Sequence, residues 1–135
     1  MTFDQFLDNN ILLARSAAYG KFKQFKNLLE NEKVDPTYND NYPIRMACQG
    51  GSIKIVKLLL AIPEVDPSDC DNYAILMASK NRNHKIISLL LDDKRVIEKL
   101  KYNKLLKHDN IKVGLILKYK FIYTESDADT FLELL

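Results

Sequence analysis

The chain has 135 residues, 47% hydrophobic and 28% charged, a profile that fits one soluble globular domain and argues against a disordered or fibrous chain. Its longest apolar runs, such as Leu58 to Ile62, fall far short of the roughly 20 residues a spanning helix needs. The net charge of +2 conceals three regions: residues 1–93 carry 11 basic and 12 acidic side chains, residues 94–120 carry 9 and 2, and residues 121–135 carry 4 acidic and no basic ones.

The Met1–Phe6 stretch is acidic where a secretory leader is basic, so no signal peptide is expected. Thr2 with Gln5 reads as a capping box for a short helix through Leu7, with Phe3, Phe6 and Leu7 on one face to cover the first unit. From Asn9 a pattern begins that recurs. Ile11, Leu13, Ala17 and Ala18 mark a helix ended by Gly20, and Phe22, Phe25, Leu28 and Leu29 mark a second one. Val34-Asp35-Pro36 leads out, since proline cannot continue a helix.

Asp40-Asn41-Tyr42-Pro43-Ile44-Arg45-Met46-Ala47 is answered by Asp71-Asn72-Tyr73-Ala74-Ile75-Leu76-Met77-Ala78, an offset of 31 residues. Ile55 to Leu60 is answered by Ile86 to Leu91 and Val34-Asp35-Pro36 by Val65-Asp66-Pro67, at the same offset. A fixed period in this range is the mark of a solenoid built from one supersecondary unit. In the second unit Pro43 suits a first helical turn, Ile44, Ala47 and Cys48 face inward, and Gly50-Gly51 breaks before Ile53, Val56, Leu59 and Leu60. In the third, Asn81-Arg82-Asn83 replaces the glycines, with Asn expected to take the left-handed turn. Beyond Lys94 the repeat dissolves. Leu100, Leu105 and Leu106 fit a basic helix, Asp109-Asn110 breaks it, and Val113, Ile116 and Leu117 follow. Ser126 to Asp129 reads as a capping box for a terminal helix containing Phe131, Leu132, Leu134 and Leu135.

These features resemble the ankyrin repeat: a polar turn, a helix opening near Pro-Ile or Ala-Ile, an Ala-small pair, a glycine turn and a Val-Val-x-Leu-Leu-Leu-like second helix, matched over Asn9 to Val96. The Val-Asp-Pro-Ser and Asp-Asn-Tyr-Ala-Ile variant is similar to the ankyrin repeats of amoebae and of the large DNA viruses that infect them. The resemblance implies an all-α helical solenoid of about three repeats. Its divisions are an N-terminal cap (1–8), repeats at 9–39, 40–70 and 71–100, and a degenerate fourth repeat with a C-terminal helix (101–135). The period is about two residues short of the family's, and Tyr42 with Arg45, then Tyr73 with Leu76, stand where the family has Thr and His. Neighbouring turns therefore lack the Thr–His ties of the family.

No chemistry is visible. His84 and His108 have no ligand cluster beside them, Gly50-Gly51 opens no phosphate loop, and no nucleophile has a base at a telling spacing. Cys48 stands in register with Ala17 and Ser79 as a small core residue, and Cys70 falls in a turn; reduced thiols in a cytoplasm (a host's, for a viral chain) are expected. The expected function is non-enzymatic: recognition of another protein, by a monomer or weak homo-oligomer, with no cofactor, metal or membrane. By resemblance, the contact residues are Tyr38, Asn39, Asn41, Arg45, Met46, Gln49, Asp69, Cys70, Asn72, Leu76, Met77, Lys80 and Asn81. A second reading is electrostatic binding of nucleic acid or an acidic partner through 94–120, with Lys94, Arg95, Lys99, Lys101, Lys104 and Lys107 as the patch. A third is self-association through an exposed apolar end.

Overall fold

A computed structural model describes residues 1–102 and 104–118, leaving out the side chain of Ile116. The terminal helix expected around Ser126 to Leu135 lies outside them. Within them the protein is all-helical, with eight α-helices, one 3-10 turn and no strand. The helices are α1 (Phe3–Ala18), α2 (Phe22–Asn31), α3 (Tyr38–Gly50), α4 (Ile53–Leu60), α5 (Asp69–Lys80), α6 (His84–Leu90), α7 (Lys94–Leu100) and α8 (Asp109–Lys118). They form a solenoid of two layers. The first layer sets α1, α3 and α5 side by side, and the second sets α2, α4 and α6 side by side.

The repeated apolar columns become the core. Leu13, Phe25, Ile44, Val56, Leu59, Ile75, Ile86 and Leu90 are all fully buried. Between them the small column Ala17, Ala47, Cys48, Ala78 and Ser79 lets first-layer helices approach closely. Burial also pushes the Cys48 thiol well above its ordinary pKa, so it is an inert filler.

Local chemistry sets the helix ends. The Thr2 hydroxyl accepts the Gln5 N–H at 3.1 Å, but the helix it opens does not stop at Leu7. It runs on to Ala18, so the expected cap and the first inner helix are one element. The two later inner helices begin differently. Asn39-Asp40-Asn41 and Cys70-Asp71-Asn72 are each three consecutive residues at positive φ, a left-handed turn preceding the right-handed helix. Asn and Asp tolerate that region better than most side chains, which accounts for five of the six residues. At the α5–α6 break Arg82 is the left-handed residue, at φ 53. Asn had been expected there, but Asn81 and Asn83 keep negative φ; Arg82 occupies the register of Gly51, while Asn83 caps α6 by accepting the Ile86 N–H.

Val34-Asp35-Pro36 and Val65-Asp66-Pro67 owe their similarity to one turn. Asp35 Oδ1 accepts both the N–H and the hydroxyl of Thr37, at 2.8 and 2.7 Å. Asp66 Oδ1 does the same with Ser68, at 2.9 and 2.6 Å. In the third unit this loop is gone. α7 begins at Lys94, and its Asp93 cap accepts the Arg95 N–H at 2.9 Å. The basic helix expected through Leu106 ends at Leu100, and a 3-10 turn at Leu105–Lys107 leads into α8. α8 lies on α6, with Gly114 placed tightly against Ile87 and Leu91.

Candidate interaction face

The exposed side of the first layer holds two grooves, one on each side of α3. The first, between α1 and α3, is an open cavity of about 470 Å³ lined by Ile11, Ala14, Arg15, Ala18, Tyr19, Tyr42, Met46, Gln49 and Gly50. Gly50 lets the helices meet at its end, since a methyl there would collide with the Ala18 carbonyl.

Between α3 and α5 the arrangement is different. The residue 31 positions after Ala14 is Arg45, and its long side chain occupies the space that alanine leaves open. The guanidinium lies 5.1 Å from the Tyr42 ring centroid and 5.6 Å from that of Tyr73, within cation–π range of both. It donates from Nε to the Asp40 carbonyl at 3.0 Å and from Nη2 to the Asn39 carbonyl at 2.9 Å. Tyr73 donates its hydroxyl to Gln49 Oε1 at 3.1 Å, and the Asn81 amide donates to the Gln49 carbonyl at 2.7 Å. This groove is bridged by the protein's own side chains.

The predicted contact residues divide accordingly. Met46 and Gln49 line the open groove. Arg45 and Asn81 are tied into the bridge, and Asn39 contributes its carbonyl to it. Tyr38, Leu76 and Met77 are half-buried, whereas Cys70 and Lys80 are exposed. Asn41 and Asn72 are corrections. They were expected at turn tips facing outward, yet they are buried at 7% and 0% exposure.

Their burial has a structural reason, for they form a ladder with Asn10. Asn10 Oδ1 accepts the Asp35 N–H at 2.7 Å, and Asn41 Oδ1 accepts the Asp66 N–H at 2.9 Å. Asn10 and Asn41 thus each tie an inner helix to the loop 25 residues on. The third rung fails because residue 97, in register with Asp35 and Asp66, sits inside α7 with its N–H given to Asp93. Asn72 instead donates to the Val96 carbonyl at 3.0 Å and leaves its buried Oδ1 without a partner among the described residues. Sequence reasoning missed the ladder, although Asn10, Asn41 and Asn72 share the 31-residue offset. It also missed Ile11, Arg15 and Tyr19, because the first inner helix is read there for core and not for surface, and it missed Tyr42 on α3.

Asp69 also turns inward, accepting the Asn41 amide at 2.9 Å; that bond chiefly holds its carboxyl below the ordinary range despite partial burial. The basic segment is in part a structural brace. Arg95 pairs with both oxygens of Asp93 at 3.0 and 2.7 Å and donates to the Val65 carbonyl at 2.9 Å. Desolvation works to raise Asp93, but those bonds together hold its pKa below the ordinary value. Lys99 Nζ donates to the Ser68 carbonyl at 3.0 Å, and Lys118 pairs with Asp92. These cations tie α7 and α8 to the preceding units; in the expected patch Lys94, Lys104 and Lys107 are exposed, Arg95 is exposed but engaged, and Lys99 and Lys101 are half-buried. Among the described residues no cluster of three or more His, Cys, Asp or Glu has the geometry for a metal, and no helix is long and apolar enough to cross a membrane.

Paired helices stacked through a 31-residue register define the class, a helical repeat solenoid. A family model of three ankyrin repeats matches residues 13–103, and the chain belongs to that family. No curated protein and no solved structure matches it. Ankyrin repeats are in general protein–protein interaction modules.

Proposed function

We propose that the protein is a non-enzymatic scaffold that recognises a protein partner on the face formed by its turn tips and first-layer helices, centred on the groove between α1 and α3. The observation that carries this reading is the groove itself. Its lining is mixed, with Ile11, Ala14, Ala18 and Met46 beside Arg15, Gln49 and two tyrosines, and its volume is in the range of built binding sites. Met46 sits in its wall, and flexible methionine is suited to an adaptable contact surface. As part of the same reading the chain works in a cytoplasm as a monomer or weak homo-oligomer, with its two thiols reduced.

Affinity capture from the source cell, followed by mass spectrometry, tests the reading. The protein captures a partner that the Met46→Glu variant loses, while circular dichroism of the variant stays helical. A partner retained in full by Met46→Glu would remove the groove from the interface.

A further inference from the structure

We propose that the α1–α3 groove recognises an extended peptide segment through one acidic side chain, whose carboxylate pairs with Arg15 while neighbouring apolar residues rest on Ile11, Tyr42 and Met46. This rests on the reading of the groove as the partner site and adds the chemistry of the partner.

Arg15 is the one charged residue among those lining the groove. It is exposed, and its side chain makes no ion pair or hydrogen bond among the described residues. The other arginine of this layer, Arg45, spends its donors on two backbone carbonyls inside the bridged groove. Arg15 therefore keeps its planar fork of five N–H donors for a guest, and that fork matches a carboxylate in a bidentate pair. The setting strengthens such a pair. Ala14, Ala18 and Ile11 flank Arg15 on its own helix, and Tyr42 and Met46 face it from α3, so a seated segment displaces water around the charge.

Among the described residues, nearby acids do not cancel it. Asp8 is seven residues before Arg15 on the same helix, about 10 Å along the axis, which is close to one Debye length at physiological salt. Asp4 is a further turn away, and no acidic residue lines the groove. The first-layer column reinforces the assignment. Residues in register with Arg15 are Met46 and Met77, both uncharged, so an acidic side chain is read at one place in this column.

The test is selection from a displayed library of random linear peptides against the full chain. Enriched peptides carry an Asp or Glu beside apolar or aromatic residues. Replacing that acid with its amide, or making Arg15→Gln, weakens binding about tenfold, the size of one charge-assisted hydrogen bond. Selection against Arg15→Glu enriches Lys or Arg at the same place. Circular dichroism of both variants stays helical, since the exposed Arg15 side chain makes no ion pair or hydrogen bond among the described residues. Enriched peptides without an acid, no enrichment over bare support, or affinity indifferent to Arg15→Gln would each overturn the proposal. Tighter binding of a phosphoserine version would also overturn it, by reassigning the site to phosphopeptides. Uncharged peptides lost with Met46→Glu would sink the acidic partner and leave the groove standing; peptides indifferent to Met46→Glu would sink both.

Discussion

The two grooves beside α3 are built in one register and end in opposite states. Where Ala14 lies in the first, Arg45 lies in the second, and one alanine-for-arginine difference turns an open site into a bridge. The second junction carries further ties. Asn41 reaches Asp69, and Tyr73 and Asn81 both reach Gln49, whereas the position equivalent to Asp69 in the first junction is Tyr38. A repeat protein can thus keep a uniform core while giving each junction its own surface, because core positions answer to packing and the groove positions answer only to what fills them.

The largest expected effect removes the distinction by attacking what the junctions share. Leu59 is fully buried in the outer column, and Leu59→Ala is expected to cost about 2–5 kcal/mol. Urea denaturation should show the loss, and an unchanged midpoint would take Leu59 out of the core. Next comes Gly50→Ala, which strikes the first junction alone. The added methyl meets backbone at Ala18 and cannot be relieved by a rotamer change, so a cost of about 1–3 kcal/mol is expected. Hydrogen exchange should show the loss concentrated in α1 and α2, and uniform loosening would contradict a local seam.

Arg45→Ala tests the second junction. It deletes two hydrogen bonds to carbonyls and the stacking on two tyrosines at a half-exposed site, and should cost about 1 kcal/mol. It should also open a second groove, so peptides selected on the first would gain a weaker second site in calorimetric titration.

The smallest effect is a pH dependence confined to the second junction and the α7 cap. Asp69 and Asp93 have folded pKa values below the ordinary 3.8, so their contribution is present above that value and is lost as pH falls through it toward the depressed values. The urea midpoint should drop on acidification below about pH 4, and Asp69→Asn should flatten part of that drop. An identical profile in the variant would mean that the Asn41–Asp69 bond contributes nothing to stability.

Much of the fold was legible because helix pairs stacked in register need apolar and small residues at fixed offsets. The columns through Ala17, Cys48 and Ser79 or Leu28, Leu59 and Leu90 could be read without coordinates. The candidate site was less legible. Asn41 and Asn72 were read as turn surface, since asparagine suits turns, but the same residue type also satisfies a buried backbone N–H, and the donor lies 25 residues away. Arg95 and Lys99 were read as a patch because charge was counted along the chain, whereas their partners Val65 and Ser68 lie about one repeat back.

By itself, then, the sequence determined the period, the pairing of helices and the identity of the core columns, all of which depend on local spacing and on apolar burial that any neighbouring copy can supply. Tertiary structure decided which groove stays open, where the asparagine ladder loses its third rung, and which cations are already engaged. Each of those turns on a single side chain meeting a group tens of residues away, at a distance that no periodicity records.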